Sequence, residues 1–199
     1  MKTKTITAAA AAALLSISCN MQNPLLSESG LPYGAPQFDK ISEEDYLPAF
    51  KQAIADGADE IDYVVNLVKL KSGDLDYVER EMREIVTVCN EAGKISKVIF
   101  ENCYLTDDEK RTLCRIALKV RPTFIKTSTG FGTPAAGKAV GATVEDVRLM
   151  KAEVGDAIKV KAAGGVRTLA DALAMIEAGA ERIGTSAGVK IVEELKASL

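Results

Sequence analysis

The chain has 199 residues, 47% of them hydrophobic and 27% charged, with a formal net charge of -3 and no histidine. That length and balance describe a globular chain able to bury a core, and the slight acidity offers no basic face for nucleic acid. Without histidine there is no Ser-His-Asp triad, no His-containing zinc site and no HExxH metallopeptidase motif. Chemistry therefore falls to Lys, Asp, Glu, Cys, Ser or Tyr, and a small molecule is the expected partner.

At the amino terminus Lys2 and Lys4 precede an apolar, alanine-rich run from Ile6 to Ile17, closed by small residues and Cys19. This is the layout of a secretory signal, too short to stay in a membrane as a spanning helix. With a cysteine at the cleavage point it resembles a bacterial lipoprotein signal, which makes Cys19 the lipidation candidate. Cys89, Cys103 and Cys114 form no CxxC pair and read as reduced thiols. Residues 23 to 50 hold four of the six prolines and predict an extended arm. Its NPLL, PYGAP, FDKI and YLPAF series resembles the mature amino terminus of thimet and peptidyl-dipeptidase oligopeptidases. The resemblance stops at Phe50, and the zinc site of that family needs histidines that are missing here.

From Gln52 onward short β-branched runs alternate with amphipathic helical patterns, which predicts βα units and a parallel sheet. The predicted strands are Glu60 to Asn66, Ser96 to Glu101, Thr123 to Thr129, Ile158 to Ala162 and Arg182 to Thr185. Leu75, Val78, Met82, Ile85, Val86 and Cys89 recur at helical spacing, with Gly93 as the C′ residue. Thr106 to Glu109 forms a capping box, while Thr143 and Thr168 precede acidic first turns. Strand separations of about 25 to 35 residues fit a barrel or a doubly wound sheet, and both folds bind ligands at the carboxyl ends of their strands.

Alternation decides which side chains share a face. It groups Phe124, Lys126 and Ser128; Lys159 and Lys161; Lys97, Ile99 and Glu101; and Asp62, Val64 and Asn66. Lysine is depleted in strands and rarely buried unless paired, so lysines on several parallel strands predict one pocket. Two ammonium groups in a partly desolvated pocket disfavour each other's protonation, which frees an amine for Schiff-base chemistry. A carboxylate such as Asp62 would move the protons, and the reaction class this suggests is aldol cleavage and addition. The turns at Thr129-Gly130, Gly164-Gly165 and Gly184-Thr185-Ser186 offer backbone N-H groups to an anion and predict a phosphorylated substrate.

The stretches FIKTSTGFGT, KVKAAGGVRT and RIGTSAG, with GADEIDYVVN, KVIFENCYLTDDEK and ATVEDVRLMK, closely resemble the deoxyribose-phosphate aldolases of the short bacterial type, a class I family. The resemblance runs from about Gln52 to the end of the chain. It implies an α/β fold, a partial TIM (β/α)8 barrel of about five of its eight units behind an irregular arm. It also implies cleavage of 2-deoxyribose 5-phosphate to glyceraldehyde 3-phosphate and acetaldehyde without metal or cofactor. By motif, Lys126 would form the Schiff base, Lys161 would tune it, Asp62 would relay protons and Lys97 would line the pocket. Gly130, Gly164, Gly165, Gly184 and Ser186 would hold the phosphate, with Ala187 standing where the family commonly has a second serine.

The organisation expected is a lipoprotein-like signal over 1–19, an arm over 20–50 and the C-terminal part of an aldolase barrel over 51–199, fused near Phe50 to Gln52. Expected partners are a phosphorylated sugar, further copies of the chain, and a membrane only through lipid on Cys19. The aldolase resemblance places the chain in the cytoplasm. The alternative is a non-catalytic envelope lipoprotein carrying a barrel remnant.

Overall fold

Five strands carry the fold, and each of the first four leads to the next through helix. The computed structural model describes residues 23–199; the signal expected over residues 1–19 and the lipidation candidate Cys19 lie outside them. Helix α1 (Glu43–Ala55) precedes β1 (Glu60–Val64), followed by α2 (Leu67–Lys71), α3 (Leu75–Glu91), β2 (Ile95–Ile99) and α4 (Asp107–Val120). Then come β3 (Phe124–Lys126), α5 (Val144–Val154), β4 (Lys159–Ala163), α6 (Leu169–Glu177), β5 (Arg182–Gly184) and α7 (Gly188–Ala197). The strands lie in sequence order and every neighbouring pair is parallel. The chain divides into two compact units, one ending at Asp45 and one from Tyr46 to Leu199; the sheet belongs entirely to the second.

The two faces of this sheet are chemically opposite. Ile61, Tyr63, Val98, Ile125, Val160 and Ala162 point to the outer face and are buried, packed with Val78, Met82, Val86, Leu113, Val147 and Met150 of the covering helices. The register aligns Asp62, Lys97, Phe124 and Lys159 in one row across four strands, with Lys126, Lys161 and Arg182 in the next. Apolar residues on one face and charged residues on the other follow from period-two alternation.

Helix ends are set locally. Asp74 accepts from the N-H of Tyr77 at the start of α3. That helix ends with Lys94 N-H on the Cys89 carbonyl and Gly93 N-H on that of Asn90, a Schellman turn whose C′ glycine has φ +66°. Thr106 and Glu109 cap each other at α4, and Thr168 and Asp171 do so at α6.

One expectation is corrected. The prolines between residues 23 and 50 suggested an extended arm ending at a junction near Phe50, yet α1 runs continuously across that position. Asp45 accepts from both the N-H and the hydroxyl of Ser42, and three acidic residues fill the first turn, where the positive helix end favours them. Pro48 removes one backbone donor inside the helix, but Leu47, Phe50, Ala53 and Ile54 pack against the core and outweigh that loss. The earlier residues do include irregular chain, with short 3-10 turns at Pro32–Gly34 and Phe38–Lys40. Strands β3 and β5 are also shorter than expected, because the chain turns away after Lys126 and Gly184 to form the loops described below.

Leu113 is fully buried on α4, so Leu113→Ala is expected to cost about 2–5 kcal/mol while Thr106→Ala at the cap costs about 1 kcal/mol. Urea denaturation of the two variants checks that order.

Candidate active site

The charged face of the sheet gathers around one carboxylate. Asp62 Oδ2 accepts from Lys126 Nζ at 2.7 Å and lies 3.5 Å from Lys161 Nζ, while Asp62 Oδ1 accepts from Lys97 Nζ. Lys97 and Lys126 are only 5% and 9% exposed. These four side chains come from four consecutive parallel strands; register puts Asp62 and Lys97 in one row and Lys126 and Lys161 in the next, and the long lysine side chains span the step between the rows.

Beneath this cluster lies a second polar layer. Glu60 accepts from Lys97 at 2.9 Å and from the Arg182 guanidinium at 2.7 Å. Arg182 is on β5 and Glu60 on β1, the two outermost strands, so the sheet curves enough for its opposite edges to meet through side chains. Arg182 also stacks over the Phe124 ring, 4.5 Å from its centroid.

The electrostatics follow from four cations facing two carboxylates. Burial would raise the Asp62 pKa, but hydrogen bonds from Lys126 and Lys97 and the charges of Lys126 and Lys161 overcome it and hold the group at about 2. Burial pushes the Lys161 ammonium down; Asp62 opposes that, and the neighbouring charges of Lys126 and Lys97 add to it. Lys161 thus gives up its proton more readily than an ordinary lysine, and the whole site has an excess of positive charge suited to an anion.

At the carboxyl ends of the strands three loops crowd together. Gly164 has φ +79°, and a Cβ there would come within 3.0 Å of Gly141 Cα and 3.2 Å of Gly130 Cα; only glycine allows both the conformation and the approach. The Gly164 N-H donates to the Gly184 carbonyl at 3.3 Å, and the Thr185 hydroxyl donates to Val166 O at 2.6 Å. Gly184 leaves room for the Lys161 stem, since a Cβ would sit 3.2 Å from Lys161 Cε. Gly165 continues the β4 loop, and Ser186 is exposed on the loop leading into α7.

Asp62, Lys97, Lys126 and Lys161, each singled out in the sequence, thus form one ion cluster. Gly130, Gly164 and Gly184 meet above it, with Gly165 and Ser186 on the same loops. The Glu60–Arg182 pair was missed, although the alternation that puts Asp62 inward puts Glu60 there too. Gly141 was also missed; its fit against Gly164 depends on how two loops fold together. Among the described residues no cluster of three or more His, Cys, Asp or Glu is arranged to hold a metal ion, and no helix is long and apolar enough to cross a membrane.

A family model described as DeoC/LacD family aldolase matches residues 34–194. The match takes in residues 34–50, most of the stretch that resembled an oligopeptidase, and with them the whole of α1. The chain is 58% identical to the deoxyribose-phosphate aldolase of Lactobacillus acidophilus, over 73% of its own length and 59% of that protein. It is 54% identical to the deoxyribose-phosphate aldolase of Thermococcus gammatolerans, over 82% of its length and 68% of the relative. The chain thus spans about six to seven tenths of these curated relatives. Among solved structures, it superposes on the deoxyribose phosphate aldolase of Aeropyrum pernix, described as a unique tetramer, with a TM-score of 0.68 and 30% identity. That match covers 80% of this chain and 64% of the other. The five strands and their helices are therefore part of a TIM-barrel aldolase fold.

Because the Asp62 pKa lies at about 2 in the folded chain against an ordinary 3.8, its stabilising effect is full above pH 4 and fades as pH falls toward 2. Asp62→Asn should be less stable than the parent at pH 6, and the gap in urea midpoint should close between pH 4 and pH 2. A gap that stays constant over that range would show that Asp62 carries no such charge coupling.

Proposed function

The chain belongs to the DeoC/LacD family of aldolases, and from that premise we propose that it is a class I aldolase acting on 2-deoxyribose 5-phosphate. The observation that carries this reading is the single cluster of Lys126, Lys161 and Lys97 on Asp62, placed beneath glycine loops in a site of excess positive charge.

In the cleavage direction the Lys126 amine adds to the C1 aldehyde of the open-chain sugar, and loss of water leaves an iminium ion. Removal of the C3 hydroxyl proton lets the C2–C3 bond break. Its electron pair moves into the iminium to give an enamine, and glyceraldehyde 3-phosphate leaves. Protonation at C2 and hydrolysis then release acetaldehyde and the free lysine. Lys161 accepts and returns protons, as its lowered pKa permits, and Asp62 orients the ammonium groups and relays protons with it. Lys97 borders the pocket, and the N-H groups of the Gly130, Gly164, Gly165 and Gly184 turns, with the Ser186 hydroxyl, receive the phosphate. Self-association and a cytoplasmic location belong to the same proposal, supported by the tetramer described for the Aeropyrum pernix relative and by the phosphorylated substrate.

Borohydride reduction with acetaldehyde tests the covalent step. An ethyl group is expected on the peptide carrying Lys126 and on no other, and Lys126→Arg should abolish it. Asp62→Asn should lower turnover by about 100-fold or more. Adduct on Lys161, or on no lysine, would overturn the assignment. The lipoprotein reading of Cys19 rests on the Lys2-to-Cys19 layout and has its own test. Radioactive palmitate should label an envelope form, and an unlabelled chain in the cytosolic fraction rejects it.

A further inference from the structure

Glu101 is a carboxylate with no evident reason to be buried. It is 5% exposed, and no lysine or arginine among the described residues forms an ion pair with it. Its backbone is left-handed, with φ +57° and ψ +59°, a conformation that a non-glycine residue holds only when its surroundings impose it. It follows β2 at the level of the loops, one strand away from Lys126.

Both carboxylate oxygens face one residue. Glu101 Oε1 accepts from Thr129 N-H at 3.0 Å and Oε2 from the Thr129 hydroxyl at 2.5 Å. The Thr129 hydroxyl oxygen in turn accepts from Phe131 N-H at 3.1 Å. The 3-10 turn Asn102–Tyr104 continues the hold. Tyr104 OH accepts from Thr133 N-H at 2.6 Å, and Gly132 lies so close to Cys103 Sγ that a Cβ would approach it to 2.6 Å. Below, the N-H groups of Phe100 and Asn102 bond the carbonyls of Lys126 and Thr127, both at 2.9 Å. The segment from Lys126 to Thr133 is therefore held from one side by the residues that leave β2, and Gly130 sits in its middle against Gly164.

We propose that Glu101 is a positioning residue for recognition of the substrate's phosphate: through Thr129 it fixes the segment that carries Gly130 against Gly164. The inference rests on the function proposed above and adds a residue to it. A buried carboxylate serves here because it has acceptors only, so it can take the amide and the hydroxyl of one threonine at once. Glutamine in its place must turn an NH2 toward one of those donors.

The variants Glu101→Gln, Glu101→Ala, Thr129→Val and Thr129→Ser separate this role from general support of the fold. Each is assayed with 2-deoxyribose 5-phosphate and with unphosphorylated 2-deoxyribose. The preference in kcat/KM for the phosphorylated sugar should fall about tenfold or more in Glu101→Ala and Thr129→Val, mostly through KM, and less in Glu101→Gln. Thr129→Ser, which keeps the hydroxyl, should retain it. Equal losses on both sugars would overturn the proposal. Hydrogen exchange with inorganic phosphate reads the same role without turnover. Phosphate should slow exchange over residues 127–133 in the parent and in Thr129→Ser, but not in Glu101→Ala or Thr129→Val. Identical exchange in parent and Glu101→Ala would reject the role of Glu101. Parent protein that turns over neither sugar would reject the proposed activity and leave the exchange result to judge Glu101.

Discussion

Asp62 must hold three lysine side chains that would otherwise repel one another in a partly buried site. Remove its charge and Lys97, Lys126 and Lys161 lose their shared counter-ion, which strongly destabilises buried charge. Keep it, and the surplus of positive charge remains, because Glu60 is already taken by Lys97 and Arg182. The carboxylate thus fixes where the lysines point without neutralising them. The lowered pKa of Lys161 and the surplus of positive charge around it are two sides of the same imbalance.

The apolar layer makes that imbalance tolerable. On its outer face the sheet has no charge to bury, and α3, α4 and α5 close over Val98, Ile125 and Val160. Packing on that side holds five strands in register, and register delivers the charged side chains to one another on the other. The pleat decides which residues face inward, and charge and side-chain length decide which of them join the cluster. The loops add what the strands cannot, a crowded set of backbone amides above the lysines, and they keep that arrangement through glycines and through the Glu101–Thr129 contacts.

Much of this is legible in the pattern of the chain itself. Period-two alternation in EIDYVVN and TFIKTST was enough to put Asp62 and Lys126 on inward positions, and Thr-initiated acidic turns marked three helix starts. Two things were not. Prolines in the sequence around YLPAF obscured α1, because its stability comes from Leu47 and Phe50 reaching a core that local composition does not reveal. The pairings of Glu60 with Arg182 and of Gly141 with Gly164 join distant segments, and no periodicity within either segment reports its partner.

The Arg182–Glu60 link joins residues 122 positions apart, whereas each strand meets its neighbour across a connection of one or two helices. Closing so long a loop is entropically costly until the intervening strands are already in place. A folding chain can therefore assemble its outer apolar layer from successive short-range steps while the charged face is still open. The Glu60–Arg182 pair can form only when the first and last of these strands find each other, so the polar layer beneath Asp62 closes after the sheet between them is in register.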